Sequence, residues 1–308
     1  MQLACALIAS LAIVLAWPAP IILSRAEWTA RSPGVALALW QAIALGGGLS
    51  MIGALLGFGI LPLDDGLLEA IPIFAEAAFH GPLPAPIGVV QMLALSGAVI
   101  LGAHLFLNLA QTVIRTERRR RRHHALVGIL SSPMTERPST RVLDHPAPLA
   151  YCVPGVRTVT VLSNGLVDLL DDDELDAVLA HERSHLRQYH HLVLLAFQAW
   201  NTALPWFPIA NRAEFAVAGL VEMLADDEAT RTVSKATLAR AIARVGDAWD
   251  APDASGGAGR SVDRTALELR ANRLDGTRAP LGRAARGLVL GIASLIVIAP
   301  TVFLLLLL

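Results

Sequence analysis

Four long apolar segments limit the folds that this 308-residue chain can adopt. A helix needs about 20 mostly apolar residues to cross the hydrocarbon core of a bilayer. Segments of this kind occupy residues 2–23, 34–62, 86–114 and 287–308, and no Lys, Arg, Asp or Glu interrupts them. The whole chain is 54% hydrophobic and 17% charged, with a mean hydropathy of +0.54. The sequence therefore predicts a polytopic α-helical membrane protein with four transmembrane helices.

The arginines predict the orientation of the chain, because short loops rich in Lys and Arg stay in the cytoplasm. Two arginines lie between the first and second segments, whereas residues 63–85 contain four acidic side chains and no Lys or Arg. The run Arg118–Arg122 follows the third segment, and three arginines in residues 278–286 precede the fourth. We therefore expect both termini outside and residues 115–286 in the cytoplasm.

The charge and the cysteine content argue against a nucleic-acid-binding protein and a disulfide-rich protein. The formal charge of −1 offers no generally basic surface, so we expect no direct binding of nucleic acid and interpret Arg118–Arg122 as an anchor on anionic lipid. Cys5 and Cys152 cannot build a disulfide framework, which fits a reducing compartment. Residues 2–23 lack the positively charged start and the cleavage site of a secretory signal, so we expect them to be a retained span.

The polar residues 115–286 are predicted to form one compact α+β domain. No repeat of 20–50 residues is visible, and the one linker-like run is Ser255–Gly259. Arg141–Asp144, Ala150–Val153 and Thr158–Leu162 have the pattern of short strands separated by proline-containing turns. The predicted division of the chain is a membrane domain with three transmembrane helices (1–114), a cytosolic domain (115–286) and a fourth transmembrane helix (287–308).

Two features within the predicted spans concern helix packing. Gly53 and Gly57 form a GxxxG step, which permits close approach of two helices. His104 and Asn108 are four residues apart and share a helix face. We expect them to hydrogen-bond to each other or to a neighbouring helix.

A helix predicted after the last strand carries a His-Glu-x-x-His motif. Asp171 and Glu174 form a capping-box pattern at its start. His181 and His185 are four residues apart, which places both imidazoles on one face of the helix. Histidines at this spacing can bind zinc, and Glu182 beside them can take a proton from water.

A third metal ligand is expected from a second predicted helix. Glu222 and Asp226 are four residues apart, and apolar residues surround Glu222 in the sequence. A buried carboxylate needs a partner. We predict that Glu222 ligates the metal and that Asp226 accepts the free ring N–H of a ligating histidine. The predicted centre holds one zinc ion per chain and leaves a fourth position for water.

At these residues the sequence resembles the BlaR/MecR-type membrane metallopeptidases, which are gluzincins. The resemblance covers Ala150–Arg231 and rests on Pro154-Gly155, Thr158–Leu162, Gly165-Leu166, Glu174-Leu175, Val178–Glu182 and Glu222–Asp226. It implies a cytosolic zincin-like domain between the third and fourth spans, in the plasma membrane of a prokaryote. It also implies proteolysis of a winged-helix repressor in a signal relay, and self-cleavage.

The chain departs from this family at its C-terminal end. The β-lactam receptors carry an extracellular penicillin-binding sensor with a Ser-x-x-Lys nucleophile after the fourth span. This sequence ends at Leu308, and Lys235, its single lysine, has Thr232 three residues earlier. We therefore expect no direct sensing of β-lactams.

A fifth apolar segment, Leu192–Ala210, contains two prolines and several polar side chains. If it crossed the bilayer, the two histidines and Glu222 would lie on opposite sides and could not share a metal. We therefore expect it to be buried in the domain or to lie at the membrane surface. Trp200, Trp206 and Phe207 belong to that interface or to the core.

The predicted chemistry is peptide hydrolysis with Glu182 as the general base. The oxyanion of the reaction needs a donor in addition to zinc, and proximity in the sequence offers Arg231, Tyr189, His190 and His191. The strand Thr158–Leu162 could pair with an extended substrate by strand addition, or serve the core alone.

Three functions are compatible with these patterns. The leading prediction is an integral-membrane zinc endopeptidase that cleaves a cytosolic protein. The second is an HtpX-like quality-control peptidase, which differs in the arrangement of its spans. The third is a non-catalytic transducer with a structural zinc ion, and Glu182 argues against it because a structural site has no need of a base.

Overall fold

The computed structural model describes residues 1–62, 66–69, 72, 76, 87–134, 137, 140–153, 158–249, 264–274 and 279–308, and in that part the chain is mostly helical. Its helices are α1 (Gln2–Ala16), α2 (Pro18–Ser24), α3 (Trp28–Arg31), α4 (Pro33–Ile60), α5 (Val89–Leu130), α6 (Asn164–Leu169), α7 (Asp172–Arg187), α8 (His190–Ala203), α9 (Pro208–Ala229), α10 (Lys235–Trp249), α11 (Arg264–Leu274) and α12 (Arg283–Leu307). Its strands are β1 (Ser131–Pro133), β2 (Thr140–Leu143), β3 (Ala150–Val153) and β4 (Val159–Ser163). The predicted linker Ser255–Gly259 and the Pro154-Gly155 turn lie outside the described residues.

Four helical segments in the described ranges are long and apolar enough to cross a membrane: Gln2–Ser24, Pro33–Ile60, Val89–Leu130 and Arg283–Leu307. They occur where the hydropathy of the sequence predicts spans. The first is broken between α1 and α2, where Pro18 begins a new helix and lacks the N–H that would continue the old one.

Helix α5 continues 16 residues past the predicted end of the third span at residue 114. The extension is polar, but its side chains favour a helix. Glu117 forms ion pairs with Arg120 at 2.8 Å and with Arg121 at 2.7 Å, the i+3 and i+4 neighbours that support an exposed helix. The prediction ended the span where the apolar residues end, and the helix does not end there.

Glycines let α4 and α12 approach closely. A Cβ on Gly46 would lie 2.5 Å from the carbonyl oxygen of Ile296, and one on Gly57 would lie 2.7 Å from the ring of Phe303. Small residues at such positions are typical of packed membrane helices. The predicted Gly53–Gly57 step lies in this contact.

The described strands form a sheet with the order β1-β2-β4-β3. Strands β2 and β4 are parallel, and β1 and β3 pair antiparallel at the two edges. Strand β4 is therefore central, with β2 on one side and β3 on the other. The prediction that this strand, Thr158–Leu162 in the sequence, could accept a substrate strand is wrong, because both of its edges are occupied. Among these strands, β3 has the free edge on that side.

One hydrophobic core is shared by α4, an apolar helix, and by α8 and α9, the second of which carries Glu222. It contains Trp40 and Ile43 of α4, Phe197 of α8, and Ile209 and Val217 of α9, all of them buried. The core crosses the predicted boundary between the membrane domain and the domain of residues 115–286. That division remains a prediction from hydropathy.

Helices α8 and α9 form a hairpin, and the chain reverses at residues 204–207. The fifth apolar segment is thus not one continuous helix. Trp200 and Ile209, on opposite arms, contact the adjacent positions Gly48 and Gly47 of α4. The other end of α9 contacts the start of α4, where Leu224 lies 3.7 Å from a Cβ placed on Gly34. Helix α9 therefore runs antiparallel to α4 over about four turns.

Candidate metal centre

The capping box predicted at the start of α7 is present. The Asp171 carboxylate accepts the N–H of Glu174 at 2.9 Å, and the Glu174 carboxylate accepts the N–H of Asp171 at 3.3 Å. Glu174 is buried and accepts a second bond from Arg244 at 2.6 Å. These contacts fix the start of the helix that carries the histidines.

Helices α7 and α9 bring His181, His185 and Glu222 together. The two Nε2 atoms of the histidines are 3.2 Å apart. Oε2 of Glu222 lies 3.3 Å from Nε2 of His181, and Oε1 lies 3.5 Å from Nε2 of His185. One nitrogen or oxygen atom from each residue lies within 4.8 Å of the others. The three residues could hold a metal ion.

The distances between these atoms fit zinc. Zinc binds histidine nitrogen and carboxylate oxygen at about 2.0–2.2 Å in a tetrahedron, so its ligand atoms lie roughly 3.3 Å apart. The two histidine Nε2 atoms are 3.2 Å apart, one oxygen of Glu222 is 3.3 Å from Nε2 of His181, and its other oxygen is 3.5 Å from Nε2 of His185, so each of these contacts is near that spacing. Two imidazoles and one carboxylate are also a donor set that zinc uses in catalytic sites, where a fourth position stays open.

Asp226 lies behind His181, where it can fix the ring. Its Oδ1 is 2.9 Å from Nδ1 of His181, and the side chain is 1% exposed. A carboxylate in this position holds the imidazole with Nε2 directed at the metal position. The structure thus places Asp226 against the histidine that it is predicted to orient, and that role remains a prediction.

Arg270 of α11 completes the group and was not predicted. Its Nε and Nη2 donate to the two Asp226 oxygens at 2.8 and 2.7 Å, and its Nη1 lies 3.2 Å from Oε2 of Glu222. It lies 44 residues after Asp226, on a helix with no recognisable motif. Local patterns in the sequence give no signal for this contact.

The buried charges shift the pKa values of the three candidate ligands. Burial disfavours the charged form of His181, but its contacts with Asp226 and Glu222 raise its pKa to about 9. Burial lowers the pKa of His185 to about 4. Burial also disfavours ionised Glu222, yet its contact with His181 and the charge of Arg270 lower its pKa to about 2. The metal-free group at neutral pH thus holds a cationic His181 between carboxylates.

Glu182 lies next to the group, facing strand β3. Burial raises its pKa to about 7, against the opposing charge of His181, and the backbone of Cys152 hydrogen-bonds to it. A carboxyl with a pKa near neutrality can both accept and return a proton. The residue has the properties of a general base.

Of the four oxyanion candidates, His190 contacts a candidate metal ligand. Nδ1 of His190 is 3.0 Å from Nδ1 of His185, and its Nε2 is 2.9 Å from the Gln188 side chain, so both nitrogens are engaged. His190 therefore supports His185 and is not a free donor. Arg231 is exposed and forms an ion pair with Glu228 at 2.8 Å.

The other two candidates are exposed side chains at the turn between α7 and α8. Tyr189 has a left-handed backbone with φ 52°, which lets the chain enter α8. Its ring faces His191, with the ring centroids 6.3 Å apart. No hydrogen bond or ion pair joins Tyr189, His191 or Arg231 to the three candidate ligands, all of which the structure describes. The assignment of these side chains to the oxyanion has no structural support.

The part of the chain that contains this group matches a known family. Residues 114–246 match Peptidase family M48. The match covers less than half of the chain and includes His181, Glu182, His185, Glu222 and Asp226, whereas Arg270 lies beyond it. M48 peptidases are zinc metalloproteases. Since the matched model is M48, the resemblance to the BlaR/MecR type remains a prediction.

A short segment also matches a curated protein. Over 54 residues the chain is 43% identical to a protein named Protease HtpX homolog from Dictyoglomus thermophilum. The match covers 17% of this chain and 18% of that protein, so the chain spans less than a fifth of the relative in this comparison. No solved structure matches the chain. The family match, this relative and the apolar helices together support a membrane metallopeptidase.

Proposed function

We propose that the chain is an integral-membrane zinc endopeptidase with His181, His185 and Glu222 as metal ligands and Glu182 as the general base. The observation that carries the proposal is the convergence of the two histidine Nε2 atoms and the Glu222 carboxylate at zinc-like distances beside the half-buried Glu182 carboxyl. The M48 match to the same residues supports it. Asp226 and Arg270 hold the group from behind.

The chain's own residues account for the proton transfers. A zinc ion in this group would supply a Lewis acid for water and for the peptide carbonyl. Glu182 takes one proton from the attacking water, and its pKa of about 7 leaves a large ionised fraction at neutral pH. The same carboxyl then gives that proton to the leaving amine as the C–N bond breaks. Asp226 keeps His181 in position throughout.

The free edge of β3 is the proposed binding site for the substrate backbone. Cys152 on this strand hydrogen-bonds to Glu182, so the strand borders the base. An extended peptide can add to a free sheet edge through main-chain hydrogen bonds, which fix its register. The scissile bond would then lie beside Glu182.

Replacing the base separates this enzyme from a structural zinc protein. Glu182→Gln should retain zinc and lose about 10²- to 10⁴-fold in the rate of cleaving an unstructured test protein, because only the base is removed. His185→Ala should lose zinc and activity together. Glu228→Gln is the matched control and should keep zinc and activity, because this half-buried carboxylate of α9 pairs with Arg187 and Arg231 and not with the three candidate ligands. Full activity of Glu182→Gln protein would disprove the peptidase proposal.

Two substrate classes are compatible with the site. The resemblance to the BlaR/MecR type favours a cytosolic winged-helix repressor, and the 54-residue match favours an HtpX-like quality-control role. Comparing protein termini in cells that produce wild-type or Glu182→Gln protein distinguishes them. A single cleavage in a repressor, which follows an inducing signal, supports the relay. Many cleavages in damaged or unassembled proteins support quality control.

The proposed orientation places the metal group on the cytoplasmic side and both termini outside. It is supported by the positions of the arginines relative to the four apolar helices. A reporter fused after Ser255 should report a cytoplasmic position, and one inserted near Glu76 an external position. The reverse pattern would overturn the orientation while leaving the chemistry of the site intact.

A further inference from the structure

We infer that the hairpin of α8 and α9 is a re-entrant element that enters the bilayer to about its midplane, contacts lipid acyl chains at its tip, and places the metal group at headgroup level. The inference rests on the proposed membrane location of the chain. It concerns the fifth apolar segment, Leu192–Ala210, for which the sequence predicts burial in the domain or a position at the membrane surface, and the part of α9 that follows it.

The depth of the hairpin follows from its contacts with the apolar helices. A Cβ on Gly47, near the middle of α4, would lie 2.7 Å from Cδ1 of Ile209 and 3.6 Å from Cβ of Leu15. Leu15 is near the middle of the Gln2–Ser24 segment. The neighbouring Gly46 packs on Ile296, near the middle of α12. The start of α9 therefore lies level with the midpoints of three apolar helices.

Helix α5 gives the same depth and satisfies the backbone at the end of α8. His104 Nε2 lies 3.1 Å from the carbonyl oxygen of Ala203, and Asn108 Nδ2 donates to the carbonyl of Ala199 at 2.6 Å. Asn211 donates to the carbonyl of Pro205 at 3.2 Å within the turn. A helix end exposed to water needs no such partners, whereas one at membrane depth must have them.

The ionisable side chains of the hairpin have the surroundings that a membrane location requires. Glu214 accepts a hydrogen bond from Asn201 across the hairpin. Arg212 lines a cavity of about 890 Å³ between α9 and the first apolar segment, together with Arg25 from the end of that segment. Intramembrane charges pair with polar groups or face water-filled cavities. We expect this cavity to contain water that reaches Arg212 from the membrane surface.

The tip of the hairpin has an apolar surface that the protein leaves uncovered. Trp206, in the turn between α8 and α9, is 70% exposed. It lies on the part of the hairpin that is level with the apolar halves of α4 and α12. At that depth the surrounding medium is hydrocarbon, so the occupant of this surface is lipid acyl chain.

The same geometry fixes the level of the metal group. Glu222 is 13 residues after Ile209 on α9, and a rise of 1.5 Å per residue separates them by about 20 Å. Half of the hydrocarbon core is about 15 Å thick. Glu222 thus lies about 5 Å outside the hydrocarbon, among the lipid headgroups. Protein segments that emerge from or lie along the membrane surface are the substrates that reach this position most directly.

Spin labels on the full chain in phosphatidylcholine nanodiscs test the depth of the tip. In a background with Cys5 and Cys152 changed to Ser, labels are placed by Trp206→Cys, by Leu295→Cys in the middle of α12, and by Asp173→Cys on the exposed start of α7. Accessibility to oxygen relative to a water-soluble nickel complex measures the depth of each label. All three positions are exposed side chains, so the changes leave the packing intact.

We expect the ratio of oxygen accessibility to nickel accessibility to be the same for the Trp206→Cys and Leu295→Cys labels. For both labels this ratio should exceed that of Asp173→Cys by at least tenfold. A Trp206→Cys label that matches Asp173→Cys, while Leu295→Cys reports hydrocarbon, would overturn the re-entrant hairpin and leave the membrane location standing. If Leu295→Cys also reported water, the membrane location in the proposed function would fail, and the inference with it.

Discussion

The guanidinium of Arg270 donates two hydrogen bonds to the carboxylate of Asp226, from Nε to Oδ2 at 2.8 Å and from Nη2 to Oδ1 at 2.7 Å. Asp226 in turn contacts His181, and Arg270 also reaches Glu222. One arginine on α11 therefore touches one proposed metal ligand directly and a second through Asp226. Paired, hydrogen-bonded charges of this kind can remain buried, whereas a single unpaired one would be costly.

Arg270→Gln should weaken zinc binding by about 10- to 100-fold without removing the three ligands, the usual effect of losing a group that orients them. The change leaves the buried Asp226 carboxylate without its cation and removes the contact of Arg270 with Oε2 of Glu222. Competition with a chelating dye measures the zinc affinity of each variant. Arg273→Gln is the control, since Arg273 lies one turn further on α11 and pairs with Asp227. Equal affinities in the two variants would contradict the role of Arg270.

The purified chain should contain about one zinc ion per molecule, and His181→Ala, His185→Ala and Glu222→Ala should each abolish it. Each change removes one of three ligands, and the remaining two cannot hold zinc against dilution. Metal content by mass spectrometry after gel filtration is the measurement. Glu228→Gln protein should keep its zinc. A full zinc content in Glu222→Ala protein would show that the carboxylate is not a ligand.

Zinc binding should release about one proton at pH 7. His181 has a pKa of about 9 in the metal-free protein and must lose the proton on Nε2, whereas His185 and Glu222 already have free ligand atoms. The affinity should therefore rise about tenfold per pH unit from pH 6 to pH 8 and level off near pH 9.

Calorimetry in buffers of different ionisation enthalpy measures this proton. Glu182→Gln protein is the best sample, since the Glu182 carboxyl titrates in the same range. Asp226→Asn should lower the pKa of His181 and with it the number of protons released. Zinc binding without proton release in Glu182→Gln protein would show that His181 is neutral before the metal arrives.

Gly165→Ala should destabilise the fold by about 1–3 kcal/mol or more, the cost of forcing an atom into filled space. A Cβ at this position would lie 1.9 Å from the carbonyl oxygen of Pro146, so the backbone must shift. Gly128→Ala is the matched control, because no other atom lies within 4 Å of its Cβ and alanine favours the helix. Denaturant unfolding in detergent measures the stability of the two variants. Equal stabilities would contradict the close approach of Gly165 to the carbonyl oxygen of Pro146.

The parts of the site that the sequence predicts depend on spacing within one helix. His181 and His185, and likewise Glu222 and Asp226, are pairs four residues apart, and helical geometry alone places each pair on one face. A metal shared by the two pairs in turn predicts that the fifth apolar segment does not cross the membrane. The structure reaches the same result through the turn at residues 204–207.

The parts that the sequence could not predict depend on long-range contacts. Strand β4 has the alternation of any short strand, and nothing in that pattern says that it lies between β2 and β3. Arg270 contacts Asp226 because α11 packs beside α9. Nothing in the sequence around Arg270 distinguishes it from the other arginines or indicates its partner. The sequence offers His190 as a donor to the oxyanion, whereas in the structure its Nδ1 contacts Nδ1 of His185.

The core shared by α4, α8 and α9 makes α9, which carries Glu222, depend on the apolar helix α4. Ile209 and Val217 bury their side chains in this core, and in the proposed membrane location α4 is stable only once it lies in the bilayer. A chain that fails to insert would leave α9 without support, and Glu222 with it. In the proposed peptidase, the metal group would then assemble only at the membrane, so newly made or mislocalised copies in the cytosol would be inert.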